Sequence, residues 1–310
     1  MSTSGVGHAA APARARGLLV GVLLSLGAAC GGSHPAPPRA PALATPVDAV
    51  PPDLDLVLRV DLAKVRAALG PQGVASLRGE AADAVAETRE ELVERALEAS
   101  DTAILALRPE LLPHETDNVL VLAGHFAALG VDRALRASGW SAPVDLGGDV
   151  RRFDRGGKLS RSSPARVYAF ANERLVFVSA AEIDSVEAVL EHQRAPSSLK
   201  PQARGVLAFA VRLRTLGTTL VDRYPELADA IGPAEAVQGV VDSTATGLGL
   251  EVALELPSEA SAERTSAALG RIRQALAGAA GKMAAMAQSA NIQAVGRFAV
   301  VRVALERGML

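Results

Sequence analysis

The side chains able to do chemistry are few, and their spacing limits what each could do. His114-Glu115 opens like a paired-histidine zinc helix, but the second histidine would stand at 118, where the chain has Asn118, and Pro113 precedes the pair. Ser197-Ser198-Leu199-Lys200 has the Ser-x-x-Lys spacing in which one helical turn brings an amine to a hydroxyl, yet Pro201 follows at once and disfavours that helix. Gly139-Trp140-Ser141-Ala142-Pro143 ends in proline where a nucleophile elbow needs glycine. Gly156-Gly157-Lys158 is followed by Leu159 rather than a hydroxyl, and Gly247-Leu248-Gly249 lies inside a strand pattern without a third glycine. The other histidines, at 34, 125 and 192, keep no ligand spacing, and His8 falls in the leader described below. The expectation is a non-enzymatic chain with no catalytic residues, no cofactor and no metal site.

One concentrated basic run remains. Arg151, Arg152, Arg155 and Lys158, with Arg161 beyond, sit among Gly and Ser and form a candidate contact for an anion or an anionic partner. The alternative is a solvated loop. Asp55 and Asp61 fall on one side of an alternating segment with Arg59 between them, a pattern that fits a surface ion-pair ladder better than acid–base catalysis.

Cys30 is the sole cysteine, so intramolecular disulfides and multi-cysteine metal sites are excluded. Arg14 and Arg16 precede an apolar run over 17–29 that is short for a membrane span of ~20 residues but right for the apolar region of a signal peptide. The junction Leu26-Gly27-Ala28-Ala29-Cys30-Gly31-Gly32 resembles the lipobox of bacterial lipoproteins at Ala28, Ala29 and Cys30, with Leu26 one place earlier than that pattern has it. The resemblance implies cleavage before Cys30, a lipid on its thiol, and a periplasm-facing place in the cell envelope of a Gram-negative type of bacterium, at the outer rather than the inner membrane. Ordinary secretory cleavage near Ala29 would instead leave Cys30 free. Residues 31–53 are Gly, Ser, Pro and Ala-rich and read as an extended tether.

The chain has 310 residues, 49% hydrophobic and 21% charged, enough for two domains of ~150 residues or for one large domain plus a tail, and too apolar for disorder over most of its length. A net charge of −2, which becomes −4 once Arg14 and Arg16 leave with the leader, and 3% aromatic residues argue against nucleic acid as a partner. The partners expected are the membrane, through the anchor, and an envelope protein.

Alternation predicts strands over 54–62, 103–107, 118–123, 166–170, 174–178, 206–213, 246–256, 292–295 and 298–305, with helices near 63–97, 131–137, 182–192 and from 258 onward. In the first strand Leu54, Leu56, Leu58, Val60 and Leu62 face the core and the alternate residues lie largely in water. The expected fold is α+β, with largely antiparallel sheets and helices packed on one face. Because the order of elements recurs after residue 200, the domain reading is a leader over 1–29, a lipidated Cys30 and linker over 30–53, and two tandem related units over 54–200 and 201–310. The functional expectation is a non-catalytic interaction or structural role. A periplasmic carrier of an apolar molecule or peptide, or an enzyme without a recognisable motif, are the alternatives.

Overall fold

The computed structural model describes residues 43, 45–68, 70, 91–108, 117–161, 163–213, 225, 228–245, 247–278 and 281–306. Cys30, His114 and Glu115 lie outside them. The described body is α+β and is built on one antiparallel sheet of twelve strands. In chain order these are β1 (Leu56–Asp61), β2 (Ser100–Leu107), β3 (Asn118–Gly124), β4 (Val144–Asp145), β5 (Val150–Asp154), β6 (Pro164–Phe170), β7 (Arg174–Ser179), β8 (Leu207–Arg212), β9 (Ala236–Ser243), β10 (Gly247–Glu255), β11 (Asn291–Val295) and β12 (Phe298–Glu306). Across the sheet they run β11-β12-β10-β9-β8-β1-β2-β3-β7-β6-β5-β4.

Outward from the centre the two halves follow the same path. The first reads β1-β2-β3-β7-β6 and the second β8-β9-β10-β12-β11, with β5 and β4 added to the first. Each half carries a helix between its third and fourth strands along the chain, leaving aside the added β4 and β5, and ends in a hairpin. The hairpins turn at 171–173, where Ala171 has φ 49°, and at Gly296-Arg297, where Gly296 has φ 54°; the second is the two-residue form with glycine first. β1 and β8 pair from Leu56↔Val211 to Val60↔Leu207, so the expected boundary between 200 and 201 falls within a continuous sheet, and residues 40–310 form one compact unit.

Residues opposite one another in an antiparallel ladder share a face, which lets the two faces be traced strand by strand. One face, here the cap face, carries Val57, Ala106, Val119, Val176 and Val178, buried with Ala49, Val50 and Leu54. The other, the helix face, carries Leu122, Leu175, Phe177, Val167 and Phe153 beneath Ala96, Val131 and Leu135. In the second half the helix Glu259–Ala277 covers Leu254 and Ala299 on the helix face through Ala262.

Three sequence expectations change. In the first half a helix also lies on the cap face: from β7 the chain must return past β3, β2 and β1 to reach β8, and it does so with the helix Ile183–Leu190 and Leu199 buried there. The odd positions of the first strand are therefore not a water face, because Val57 is fully buried under that layer. The tether also ends before residue 53: Ala49 and Val50 are fully buried, and the Val50 carbonyl accepts the Ser197 N–H at 2.8 Å. A proline-rich segment whose fixed φ suits a short 3-10 turn, here Pro46–Ala49, can pack as well as span.

Candidate functional site

The central part of the helix face is an apolar floor. Tracing register from β2 to β12, one row reads Leu105, Leu58, Phe209, Gly239, Val252, Val301, and the next reads Ala103, Val60, Leu207, Val241, Leu250, Val303. No residue in either row is polar. Around it the same face is buried, at Leu122 and Phe177 on the strands beyond β2 and at Leu254 and Ala299 one row further along β10 and β12. Within it Leu58, Val60, Leu105, Leu207, Phe209, Val241, Leu250 and Val303 are only half-buried. Six strands at ~4.8 Å spacing make this strip about 24 Å wide.

Gly239 flattens it. A Cβ there would overlap the ring of Phe209, so the absence of a side chain on β9 lets the ring lie down across the neighbouring strand. A ring standing upright would divide the floor. On β10 and β12 the opposite face is charged: Glu251 accepts from Arg204 at 2.6 Å and from Arg302 at 2.8 Å, and Glu255 pairs with Arg297. The hydrogen bond from Arg302 is the main reason that the Glu251 carboxyl lies below the usual carboxylate range. One face of β10 is thus satisfied in water and the other is not.

The basic run is taken apart by the pleat. Arg151 and Arg152 are neighbours on β5 and so point to opposite faces. Arg151 pairs with Asp132, while Arg152 reaches Asp154 at 3.2 Å and Glu187 at 3.3 Å. Arg155 stacks over the Trp140 ring, 5.8 Å from its centroid, and Lys158 is exposed beyond the strand end. Arg161 clamps Asp117 from elsewhere. The run is a set of separate local contacts rather than one cationic surface.

A buried ionic cluster that no motif signals sits on the cap side at the end of β2. Asp117 and Glu182 are each 1% exposed, and Arg108 stands between them and Asp53, donating to Asp53 at 3.0 Å and to Glu182 at 3.2 Å. Arg161 donates to Asp117 at 2.7 Å, and Arg194 lies 3.4 Å from Asp53. Burial raises the Glu182 carboxyl above its ordinary value, with Arg108 working against the rise. The cluster ties together five segments far apart in sequence. It clamps the chain entry, the β2 and β3 ends and the crossover to one another.

Ser197 is 1% exposed, and its hydroxyl accepts the Leu199 N–H at 3.2 Å, a turn contact rather than a nucleophile beside Lys200. Gly247 lies in β10, where a Cβ would overlap the Leu305 carbonyl; its glycine serves close packing. Asp55 binds Arg212 at 2.8 Å and Asp61 lies 3.6 Å from Arg59, so the ladder extends across to β8. Among the described residues no group of three or more His, Cys, Asp or Glu is placed to hold a metal ion. No described helix is long and apolar enough to cross a membrane.

No protein-family model matches the chain, and no curated protein does. Among solved structures, crystal forms I and IV of TP0453 align with a TM-score of 0.48 at 12% and 13% identity, covering 86% of this chain and 95% of theirs. Crystal form III gives 0.46 at 13% identity. The likeness is too loose to carry chemistry from that protein to this chain.

Proposed function

We propose that the chain is a lipid-anchored envelope protein whose body acts by binding, and that the apolar floor is its working surface. The observation that supports this most is the contrast within β10: Glu251 and Glu255 are satisfied by arginines on one face, while Leu248, Leu250 and Val252 stay half-buried on the other. A contiguous apolar face that a folded body covers only in part is a candidate contact site. Its form favours a protein partner over a small molecule, since small ligands take concave sites with convergent polar groups and this strip is uncharged and about 24 Å wide. An apolar face of a partner helix has the matching shape.

The anchor rests on Ala28-Ala29-Cys30 and supplies location rather than affinity. With a lipid on Cys30 the floor is free to meet a partner without entering the bilayer. Metabolic labelling with a fatty acid should mark the parent and not Cys30→Ala; equal label in both removes the anchor. For the floor, capture from native membranes with the parent and with Leu250→Gln is the test. A partner held by the parent and lost by the variant, at unchanged circular dichroism, is expected. A partner held equally by both removes the floor from the account, and a thermal shift with a small apolar probe alone would favour the carrier instead.

A further inference from the structure

The two edges of the sheet are unlike. β4 is two residues long and carries Asp145 opposite Arg151, the kind of short charged edge that resists pairing with another chain. At the other edge β11 is Asn291-Ile292-Gln293-Ala294-Val295, five residues without charge, proline or bulge, and β12 is its sole ladder partner among the described residues. The next stretch of that edge is closed, because the Ser289 hydroxyl donates to the Ala304 carbonyl at 3.0 Å where β11 stops.

The hairpin geometry says which groups of β11 are open. Val295 and Phe298 close a two-residue turn and exchange hydrogen bonds, so Asn291, Gln293 and Val295 turn their backbone groups toward β12. Ile292 and Ala294 turn theirs outward. Two copies of β11 laid antiparallel about Gln293 match these groups without remainder: Ile292 of each copy exchanges both hydrogen bonds with Ala294 of the other. We propose that this edge is the interface of a two-fold dimer, with β11 pairing with β11 of a second copy to continue the sheet.

Side chains support the same register. On the helix face the row across the seam would read Val252, Val301, Ile292, then Ala294, Ala299, Leu254 of the second copy, apolar throughout. On the cap face Gln293 meets its own counterpart, flanked in each copy by Val300 and Ala253. Arg302, beside Asn291, stays paired with Glu251 and faces no like charge across the seam. The antiparallel arrangement also places the two helices Lys282–Ser289, each ending just before β11, toward opposite ends of the seam.

The test uses the full chain with Cys30→Ala, which leaves no thiol of its own. Gln293→Cys then puts the only cysteine at a pair without mutual hydrogen bonds, where Cα atoms ~4.5 Å apart suit a disulfide. Mild oxidation is expected to give a disulfide-linked dimer from Gln293→Cys and none from Val144→Cys at the opposite edge. Adding Ala294→Pro removes an outward N–H and no β12 bond, so it should abolish the dimer at unchanged circular dichroism; Ala294→Lys serves if the proline variant fails to fold. Comparable linkage from both edges, linkage that survives Ala294→Lys, a monomer in sedimentation at tens of micromolar with no disulfide dimer, or linkage to a different protein alone would each overturn the proposal.

Discussion

At the scale of single residues the two most informative side chains are ones no motif marks. Glu182 is buried among carboxylates with Arg108 as its neutralising partner, and its carboxyl holds a proton more readily folded than unfolded. Stability from that group is present at low pH and is lost as pH rises from the ordinary glutamate value through the raised one. Glu182→Gln removes that loss, so the variant's melting temperature relative to the parent should climb through that window; a flat difference would contradict it. Gly239→Val should cost about 1–3 kcal/mol, because the added side chain must displace the Phe209 ring, and Phe209→Leu in the same chain should recover part of it in denaturant titrations. The sequence made the failed motifs legible, since each lacks a residue at a countable position. It could not reveal the ionic cluster, whose members at 53, 108, 117 and 182 meet only through the fold.

At the scale of elements, alternation located the strands that bury one face against helices. β1, β8, β10 and both closing hairpins stand close to where leucine and valine periodicity puts them. β5 was hidden because its adjacent arginines read as loop, although each finds a carboxylate on its own face. β9 was hidden because Gly239 and Gln238 break its alternation, and that glycine is the one the floor requires. The long helix was legible from its start, Pro257-Ser258-Glu259, and the Ser258 hydroxyl accepts the Ser261 N–H at 3.2 Å. Ser258→Ala should cost about 1 kcal/mol, measurable by chemical unfolding, while Ser258→Asp should cost little or nothing. A loss as large for aspartate as for alanine would mean that the cap is not what the serine provides.

At the scale of the whole molecule, the recurring order of elements is joined into one sheet by the β1–β8 pair, and the chain before residue 54 belongs to that body. A chain beginning at Ala40 keeps Ala49 and Val50, whereas one beginning at Asp53 loses both fully buried residues. The shorter chain should therefore be less stable by about 3 kcal/mol, on the scale of two buried apolar side chains, with an equal melting temperature for both chains as the contrary result. The tether boundary was illegible because prolines mark linkers and 3-10 turns alike. On the proposed function the floor, and not the charged face behind it, meets the partner. A photo-crosslinking amino acid placed in turn at Leu105 and Leu250 on the floor and at Arg302 and Gln238 on the opposite face tests this in intact envelopes. The expected result is one protein adduct of common mass from both floor positions and none from the other two; adducts from the charged face alone, or the same adduct from all four, would contradict it.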